Sequence, residues 1–336
     1  MSEFDYQKQA QDYYSKAPTI ILGSGASVSF GISGMGDLAR HLLDSIDVSR
    51  SEPEEQKVWQ QFGELLANKV DLESALHQIR LPPNLAKNVI TTTWKLINSE
   101  DLFIYHQAIC DQNHFALGHL LSALFKSTLQ EINIITTNYD RLAEYACEQE
   151  ALYHYTGYSN GFTRRLVDQS LHRGRQVNIW KVHGSLDWYS APSGEILGLP
   201  NLSEIPNDFD PQIVTPGIEK YLKTHIPPFR DIVTNSDRVL QKSLSYLCVG
   251  FGFNDDHIQP KLIQKCVREK TSIVVVTYEL TEAAKKLLFE NNIQNYLAIE
   301  RGDHDDQSRI YSSLNKAPII VDKNYWTLEG YLNLIL

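Results

Sequence analysis

The stretch "VNIWKVHGS", residues 177–185, is an apolar run that ends in a histidine, a glycine and a serine. Residues Val177 to Val182 alternate loosely and are rich in β-branched and aromatic side chains, which predicts a strand that leaves His183 at its carboxyl end. In an α/β protein, ligands bind at that edge of the sheet. The stretch therefore predicts a strand of the central sheet and a candidate functional histidine.

Four further apolar runs also end in small or polar residues. They are "TIILG" (19–23), "INIITTN" (132–138), "LSYLCVGFG" (244–252) and "SIVVVTYE" (272–279). Near-continuous apolar strands separated by helical patterns are typical of a parallel sheet that helices cover on both faces. The sequence therefore predicts an α/β fold with a doubly wound, Rossmann-like parallel sheet.

The chain length favours one main domain with an insertion. We expect a single α/β domain over residues 1–336. Helical spacing of apolar residues dominates residues 50–130, which predicts a helical insertion within that domain. Residues 190–232 contain most of the prolines and show weak periodicity, which predicts a long ordered loop or a lid.

The composition narrows the choice of partners. Lysine and arginine number 31 against 41 acidic residues, a net charge of −10, and no basic cluster interrupts the chain. We therefore expect no direct contact with nucleic acid or with an anionic membrane. No apolar stretch approaches the roughly 18 residues of a membrane span, and the polar start lacks signal-peptide features, so we expect a cytoplasmic protein.

The cysteines are far apart and form no C-x-x-C pair, so neither a disulfide framework nor a zinc ribbon is expected. We expect all four to be buried, reduced thiols. They are Cys110, Cys147, Cys248 and Cys266.

The first strand runs into the glycine-rich stretch "GSGASVSFGISG", residues 23–34. Glycines at a strand-to-helix turn let the backbone approach a pyrophosphate, whose charge is met by free amides at the helix amino end. A tight turn in a plain α/β domain would have the same pattern. The spacing differs from the G-x-G-x-x-G of dehydrogenases, and no acidic residue ends the second strand twenty positions later, which disfavours hydride transfer.

The second strand ends in "TTNYD", which places Thr137, Asn138 and Asp140 at the same edge as Gly23 and His183. An isolated Asn or Asp before a helix is most often a cap. Here three strand ends place a phosphate-type turn, a neutral amide and an imidazole along one rim.

Five motifs, in this order along the chain, resemble those of the sirtuin superfamily, the NAD-consuming proteins of silent-information-regulator type. "GSGAS" with the later Gly31-Ile32 looks like the family's phosphate and ribose loop, and "TTNYD" looks like T-Q-N-I-D. "HGS" matches the family's histidine motif, "GFG" falls where the family has G-T-S, and "GDHD" at 302–305 resembles the adenine loop. The resemblance covers most of the chain outside the helical insertion.

The resemblance implies NAD as substrate and assigns roles to residues of these motifs. Asn138 would hydrogen-bond the nicotinamide ribose or the attacking water, and His183 would act as a base toward a ribose hydroxyl or water. Asp140 would bind the nicotinamide carboxamide. The implied NAD-binding residues are Gly23, Ser24, Gly25, Ser27, Gly31, Ile32, Thr137, Asp140, Gly250, Phe251, Gly252, Gly302 and Asp303.

The departures from the family pattern concern zinc and acyl-lysine. No C-x-x-C pair follows the histidine motif, so no structural zinc and no other metal is expected. "GMGD" replaces the family's D-F-R, and Thr137 replaces a glutamine, which weakens the case for acyl-lysine chemistry. The segments "IVTPGIEKYLKTHIPPFRD" and "YLCVGFGFNDDHI" resemble the zinc-free bacterial branch, whose characterised members hydrolyse NAD, often as effectors of antiviral defence.

The resemblance thus implies an NAD hydrolase that releases nicotinamide and ADP-ribose. Branch members commonly form homo-oligomers, and some act with a partner ATPase or a foreign protein as activator. Two alternatives stay open: an NAD-dependent protein deacylase or ADP-ribosyltransferase, and a sensor that binds NAD or an ADP-ribose derivative without turnover. Asp255 and Asp256, after the fourth strand, are expected to cap the helix that follows.

Overall fold

A computed structural model of the chain describes residues 5–167, 174–215, 227–255 and 257–336. The strands in these ranges are β1 Thr19–Leu22, β2 Glu131–Thr136, β3 His154–Tyr155, β4 Gln176–Lys181, β5 Gly184–Ser190, β6 Ile196–Gly198, β7 Asp210–Ile213, β8 Ser245–Val249, β9 Ser272–Thr277, β10 Tyr296–Arg301, β11 Ser308–Ser312 and β12 Asn315–Val321. The helices are α1 Tyr6–Tyr14, α2 Gly25–Val28, α3 Met35–Ser45, α4 Pro53–Ala67, α5 Leu72–Gln78, α6 Pro83–Ile109, α7 Ala116–Phe125, α8 Leu142–Gln149, α9 Phe229–Lys242, α10 Gln259–Arg268, α11 Glu282–Lys285 and α12 Leu328–Ile335. A π-helical turn, Lys286–Glu290, continues α11.

Nine strands form the central sheet in the order β12-β11-β10-β9-β8-β1-β2-β4-β3. From β10 to β3 all neighbours are parallel, and β11 and β12 add an antiparallel edge. The five predicted strands are β1, β2, β4, β8 and β9, so the predicted α/β fold with a large parallel sheet is confirmed.

The sheet is covered on both faces because its central strands are apolar on both sides. Ile20 of β1 packs in one buried cluster and Ile21, its neighbour, packs in the cluster on the opposite face. The chain runs from β1 outward to β2 and β4, then returns to β8 on the other side of β1. Strand order therefore reverses beside β1, and ligands of open α/β sheets bind in the crevice at such a point.

Four helices, α4 to α7, lie in the segment 50–130, for which we predict a helical insertion. Helices α3 to α6 share a small apolar core of their own, in which Trp59 and Phe62 stack with ring centroids 4.8 Å apart. Within the described ranges, no helix has the length and apolar character that a membrane span requires.

The segment after His183 contains more strand than the predicted loop or lid over 190–232 suggests. Strands β6, β5 and β7 form a small antiparallel sheet in that order. The segment also includes the start of α9, and its residues 216–226 lie outside the described ranges. These strands are short, which explains their weak sequence periodicity.

Three of the four cysteines are buried, as expected: Cys147, Cys248 and Cys266. The expectation is wrong for Cys110, which is exposed. It is the residue after the last turn of the long helix α6, and its exposure follows from that terminal position.

Candidate active site

The loops that follow β1, β2, β4 and β8 meet at the carboxyl edge of the sheet because these strands are parallel neighbours. They enclose a cavity of about 190 Å³, which we call the first cavity. Ten predicted site residues line it: Gly23, Ser24, Ser27, Ile32, Thr137, Asn138, Asp140, His183, Phe251 and Gly252. The edge predicted from separate motifs is thus one continuous surface.

A second cavity of about 370 Å³ lies beside the first and shares Ser27, Asn138 and Asp140 with it. Two more predicted residues, Gly25 and Gly250, line this second cavity. Much of the rest of its wall is apolar or aromatic, and includes Phe30, Phe115, Tyr278, Trp326 and Leu328.

Three predicted residues, Gly31, Gly302 and Asp303, line neither cavity. The loop that holds Gly302 and Asp303 reaches the second cavity indirectly. Nε1 of Trp326 donates a hydrogen bond of 2.8 Å to the carbonyl oxygen of Asp305, and the Trp326 ring packs edge-on against Tyr278.

The glycines after β1 and β8 are required by the close approach of the two loops to each other. A Cβ on Gly23 would lie 2.5 Å from the carbonyl oxygen of Gly250, and one on Gly25 would lie 2.9 Å from its Cα. Gly250 has φ +55°, and a Cβ there would collide with the backbone nitrogen of Ala26. The two glycine motifs therefore form a single interlocked unit.

Three backbone N–H groups of the loop after β1 already donate to protein acceptors. The N–H of Gly25 donates to the Gly250 carbonyl at 3.0 Å, and those of Ala26 and Ser27 donate to carbonyls of their own loop at 3.0 Å each. These amides are occupied because α2 is a single short turn held against the loop after β8.

The loops after β1 and β2 are joined by a chain of hydrogen bonds through Asn138. Its Nδ2 donates to the Gly23 carbonyl at 2.9 Å and to Oγ of Ser27 at 3.0 Å. Oγ of Ser27 in turn donates to Oδ2 of Asp140 at 2.8 Å. We call Gly23, Ser27, Asn138 and Asp140 the amide wall. Oδ1 of Asn138 accepts no hydrogen bond from the residues that the structure describes.

Asp140 is buried, and this burial raises the pKa of its carboxyl group to about 6. The nearby ammonium group of Lys181 acts in the opposite direction. Lys181 is itself fully buried, where Nζ donates to the Asp140 backbone carbonyl and to Oε1 of Glu144, the latter at 2.9 Å.

His183 lines the first cavity together with the amide wall, and it contacts a carboxylate from the loop after β8. Its Nε2 lies 2.9 Å from Oδ2 of Asp255, and the two side chains are 14% and 5% exposed. The distance is that of an ion pair, although Nε2 lacks the angles of a regular hydrogen bond. We call His183 and Asp255 the imidazole wall.

The sequence pattern predicts only that Asp255 caps the helix that follows. The structure gives Ile258 as the N-cap of α10, and Asp255 instead caps the turn just before it. Its Oδ1 accepts hydrogen bonds of 2.9 Å from the backbone N–H groups of His257 and Ile258, in the turn that leads into α10. The sequence pattern does not predict the contact of Oδ2 with His183. The position of Asp255 could have indicated it, because Asp255 follows β8 at the same edge of the sheet as His183. Asp256, for which a capping role is also expected, lies outside the described residues.

Among the described residues, no three His, Cys, Asp or Glu side chains are grouped so that they could hold a metal ion.

Comparison with known families gives one match. A family model described as a SIR2-like domain matches residues 132–296, just under half of the chain. The matched segment runs from β2 to the first residue of β10 and contains Asn138, Asp140, His183 and Asp255. It leaves out the glycine-rich loop after β1. No curated protein matches the sequence significantly.

Solved structures with a similar fold include three Sir2 homologues. One, in complex with NAD, is 16% identical with a TM-score of 0.43, covering 88% of this chain and 89% of that chain. A mutant homologue bound to ADP-ribose is 14% identical with a TM-score of 0.47, and the match covers 84% of this chain and 88% of that chain. A mutant homologue bound to 2′-O-acetyl ADP-ribose is 15% identical with a TM-score of 0.44, and the match covers 89% of this chain and 91% of that chain. At these TM-scores the likeness assigns no role to any residue. The match over residues 132–296 supports the predicted sirtuin-like character of the chain.

Proposed function

We propose that the protein is an NAD glycohydrolase, which cleaves the bond between nicotinamide and ribose and releases nicotinamide and ADP-ribose. The observation that carries the proposal is that His183, paired with a carboxylate, lines the same cavity as Asn138. Both residues lie in the segment that is similar to a SIR2-like domain. Sir2 homologues with a similar fold are known in complex with NAD and ADP-ribose, which agrees with NAD as the substrate.

The proposed reaction requires that NAD and the attacking water be positioned and that a group accept a proton. Nicotinamide leaves a cationic pyridinium as a neutral molecule, so the bond to C1′ of the ribose can break without a general acid. Water then supplies the new C1′–O bond and releases one proton. A histidine suits this last task because its pKa is ordinarily close to neutral. We assign the proton to His183.

Asn138 contributes to the proposed reaction through its carbonyl oxygen. Both hydrogens of Nδ2 are donated inside the amide wall, to Gly23 and Ser27. Oδ1 is the atom that remains to accept a hydrogen bond from the attacking water or from a ribose hydroxyl.

Asp140 is proposed to bind the nicotinamide carboxamide. Its two oxygens already accept from Oγ of Ser27 and from the N–H of Leu142, at 2.8 and 3.2 Å. A carboxylate has about four lone-pair sites, so each oxygen can accept one further hydrogen bond. The second cavity, with its aromatic wall, is proposed to hold the adenosine end of NAD, next to the loop of Gly302 and Asp303.

The resemblance to the zinc-free bacterial branch extends the proposal to the cell. On that basis the protein is an NAD-depleting effector of antiviral defence, assembled as a homo-oligomer and activated by a partner ATPase or a foreign protein. An inactive resting state agrees with this role, because unregulated loss of NAD is toxic.

The experiment that tests the proposed reaction is incubation of the purified protein with NAD, with and without an acetylated lysine peptide. We expect nicotinamide and ADP-ribose in equal amounts without peptide, quantified by chromatography. Turnover that requires the peptide, with acetylated ADP-ribose as product, would replace hydrolysis by deacylation. If the NAD carries a label on its ADP-ribose part, label on the protein would indicate ADP-ribosyl transfer. Intact bound NAD after long incubation would indicate a sensor.

A further inference from the structure

We propose that Asp255 is a positioning residue that fixes the orientation and the tautomer of His183. The inference rests on the proposed function for its effect on turnover, and on geometry alone for its effect on the ring. The sequence pattern gives Asp255 a capping role only, whereas the structure gives each of its two carboxylate oxygens a separate partner.

The carboxylate of Asp255 is held in place by backbone hydrogen bonds that do not involve the histidine. Oδ1 receives two backbone N–H groups, those of His257 and Ile258, at 2.9 Å each. This arrangement turns Oδ2 toward Nε2 of His183, at 2.9 Å. A charge on a side chain that is only 5% exposed needs compensation, and a protonated ring nitrogen supplies it.

The loop that carries Asp255 is itself tightly held. Phe253, two residues earlier, is fully buried and has φ +61°, an uncommon backbone conformation for a bulky aromatic residue. Its ring packs against Phe251 with centroids 4.9 Å apart, and Oγ1 of Thr281 donates to the Gly252 carbonyl at 2.6 Å. Such a conformation persists where the surroundings over-determine it, and such places cluster at functional sites.

The chemical consequence follows from the two nitrogens of the ring. With Nε2 buried against Asp255, the tautomer that carries its proton on Nε2 is favoured, and Nδ1 is left as the proton acceptor. When Nδ1 takes a proton during the reaction, the carboxylate stabilises the resulting imidazolium, as the aspartate of a catalytic triad does. Asp255 therefore acts through His183 and touches no reacting atom.

The variant Asp255→Asn separates this role from capping. Its amide oxygen can still accept from the N–H groups of His257 and Ile258, but its NH₂ group then faces Nε2 and favours the opposite tautomer. We expect kcat for NAD hydrolysis to fall about a hundredfold or more, with KM and the melting temperature close to wild type. The matched control is Asp12→Asn, an exposed residue of α1, which leads into the amino end of β1. We expect this control to retain wild-type kinetics.

A nitrogen NMR spectrum of the histidine side chains tests the ring directly, with the His183 signals assigned by their loss in His183→Ala. We expect the proton on Nε2 in the wild type and on Nδ1 in Asp255→Asn. A wild-type ring protonated on Nδ1 would overturn the inference. So would an Asp255→Asn variant with kcat within about threefold of wild type.

This design keeps the two proposals apart. A wild-type protein that releases no nicotinamide contradicts the proposed function, whereas the tautomer measured by NMR still decides the role of Asp255.

Discussion

The amide wall and the imidazole wall both line the first cavity, and they are built in different ways. In the amide wall, the side-chain N–H and O–H groups of Asn138 and Ser27 already donate to protein acceptors. In the imidazole wall, His183 has a single side-chain contact of ion-pair distance, with Asp255, and lacks a regular hydrogen bond at Nε2. The amide wall is therefore a fixed frame, whereas the imidazole wall is the part suited to moving a proton.

The walls also differ in what holds them together. The amide wall is joined to the loop after β8 by the interlocked glycines 23, 25 and 250, with backbone-to-backbone contact. The imidazole wall bridges the loops after β4 and β8 through side chains alone. Substitutions in the frame should therefore change stability first, and substitutions in the imidazole wall should change turnover first.

The largest effect on the frame is expected from Gly250→Ala. The new Cβ would collide with the backbone of Ala26 at a positive φ, so neither loop can yield without separating from the other. We expect the free energy of unfolding to fall by about 4 kcal/mol or more, measured by urea denaturation. The matched control is Gly36→Ala in α3, where a Cβ meets nothing within 4 Å. That helical control should be unchanged or more stable by up to about 1 kcal/mol. Equal stability of the Gly250→Ala variant and wild type would show that the loops are not interlocked.

A smaller effect is expected from Ser27→Ala, which breaks the amide wall without adding volume. Its loss leaves one N–H of Asn138 and one oxygen of Asp140 without their partner. Because the Asp140 carboxylate is buried and Asn138 is partly buried, we expect a loss of about 2 to 3 kcal/mol in the free energy of unfolding. Ser45→Ala, an exposed serine at the end of α3, serves as control and should stay within about 0.5 kcal/mol. The comparison of the walls predicts that Asp255→Asn, in contrast, leaves stability unchanged; similar losses in both variants would remove the distinction.

The smallest effect concerns pH and Asp140. Because burial raises the folded-state pKa of this carboxyl to about 6, above its usual value near 4, proton binding favours the folded state. This stabilising contribution is fully present below about pH 4 and is lost as the pH rises through about 6. The Asp140→Asn variant lacks this contribution, so the stability of wild type relative to the variant should decline across this range by about 2 kcal/mol. Urea denaturation at several pH values measures the difference, and a difference that stays constant from pH 4 to 7 would contradict the burial of a chargeable group there.

Much of the fold follows from the sequence because buried parallel strands are apolar along their whole length. Strands β1, β8 and β9 are largely of this kind, whereas β2 and β4 place polar residues such as Asn133 and Asn178 between apolar ones; all five are predicted. Strand β10, which is also parallel and mostly buried, is not predicted. Strand β12 escapes prediction because it lies at the edge of the sheet, and none of its residues is buried. Its sequence begins with two polar residues and contains Pro318, and a proline within an apolar run argues against a central strand.

The location of the candidate site is predictable from the sequence, but its side-chain contacts are predictable only in part. Asn138 and His183 stand at ends of recognisable strands, so their shared edge follows from the parallel sheet. The second contact of Asp255 does not follow, because capping already explains that residue and sequence spacing does not report where its other oxygen points. The glycines of 23–25 have a pattern that suits a phosphate, while the structure uses them to pack two loops together.

NAD hydrolysis at this site is tested by nicotinamide release from NAD in the absence of any peptide, comparing wild type with Asn138→Ala, His183→Ala and the exposed control Asp12→Asn. We predict release by wild type and control, and a loss of about a hundredfold or more in both site variants, since each removes a group that acts in the transition state. Nicotinamide release that persists in His183→Ala would contradict NAD hydrolysis at this site. So would a wild-type protein that binds NAD and leaves it intact with and without candidate activators.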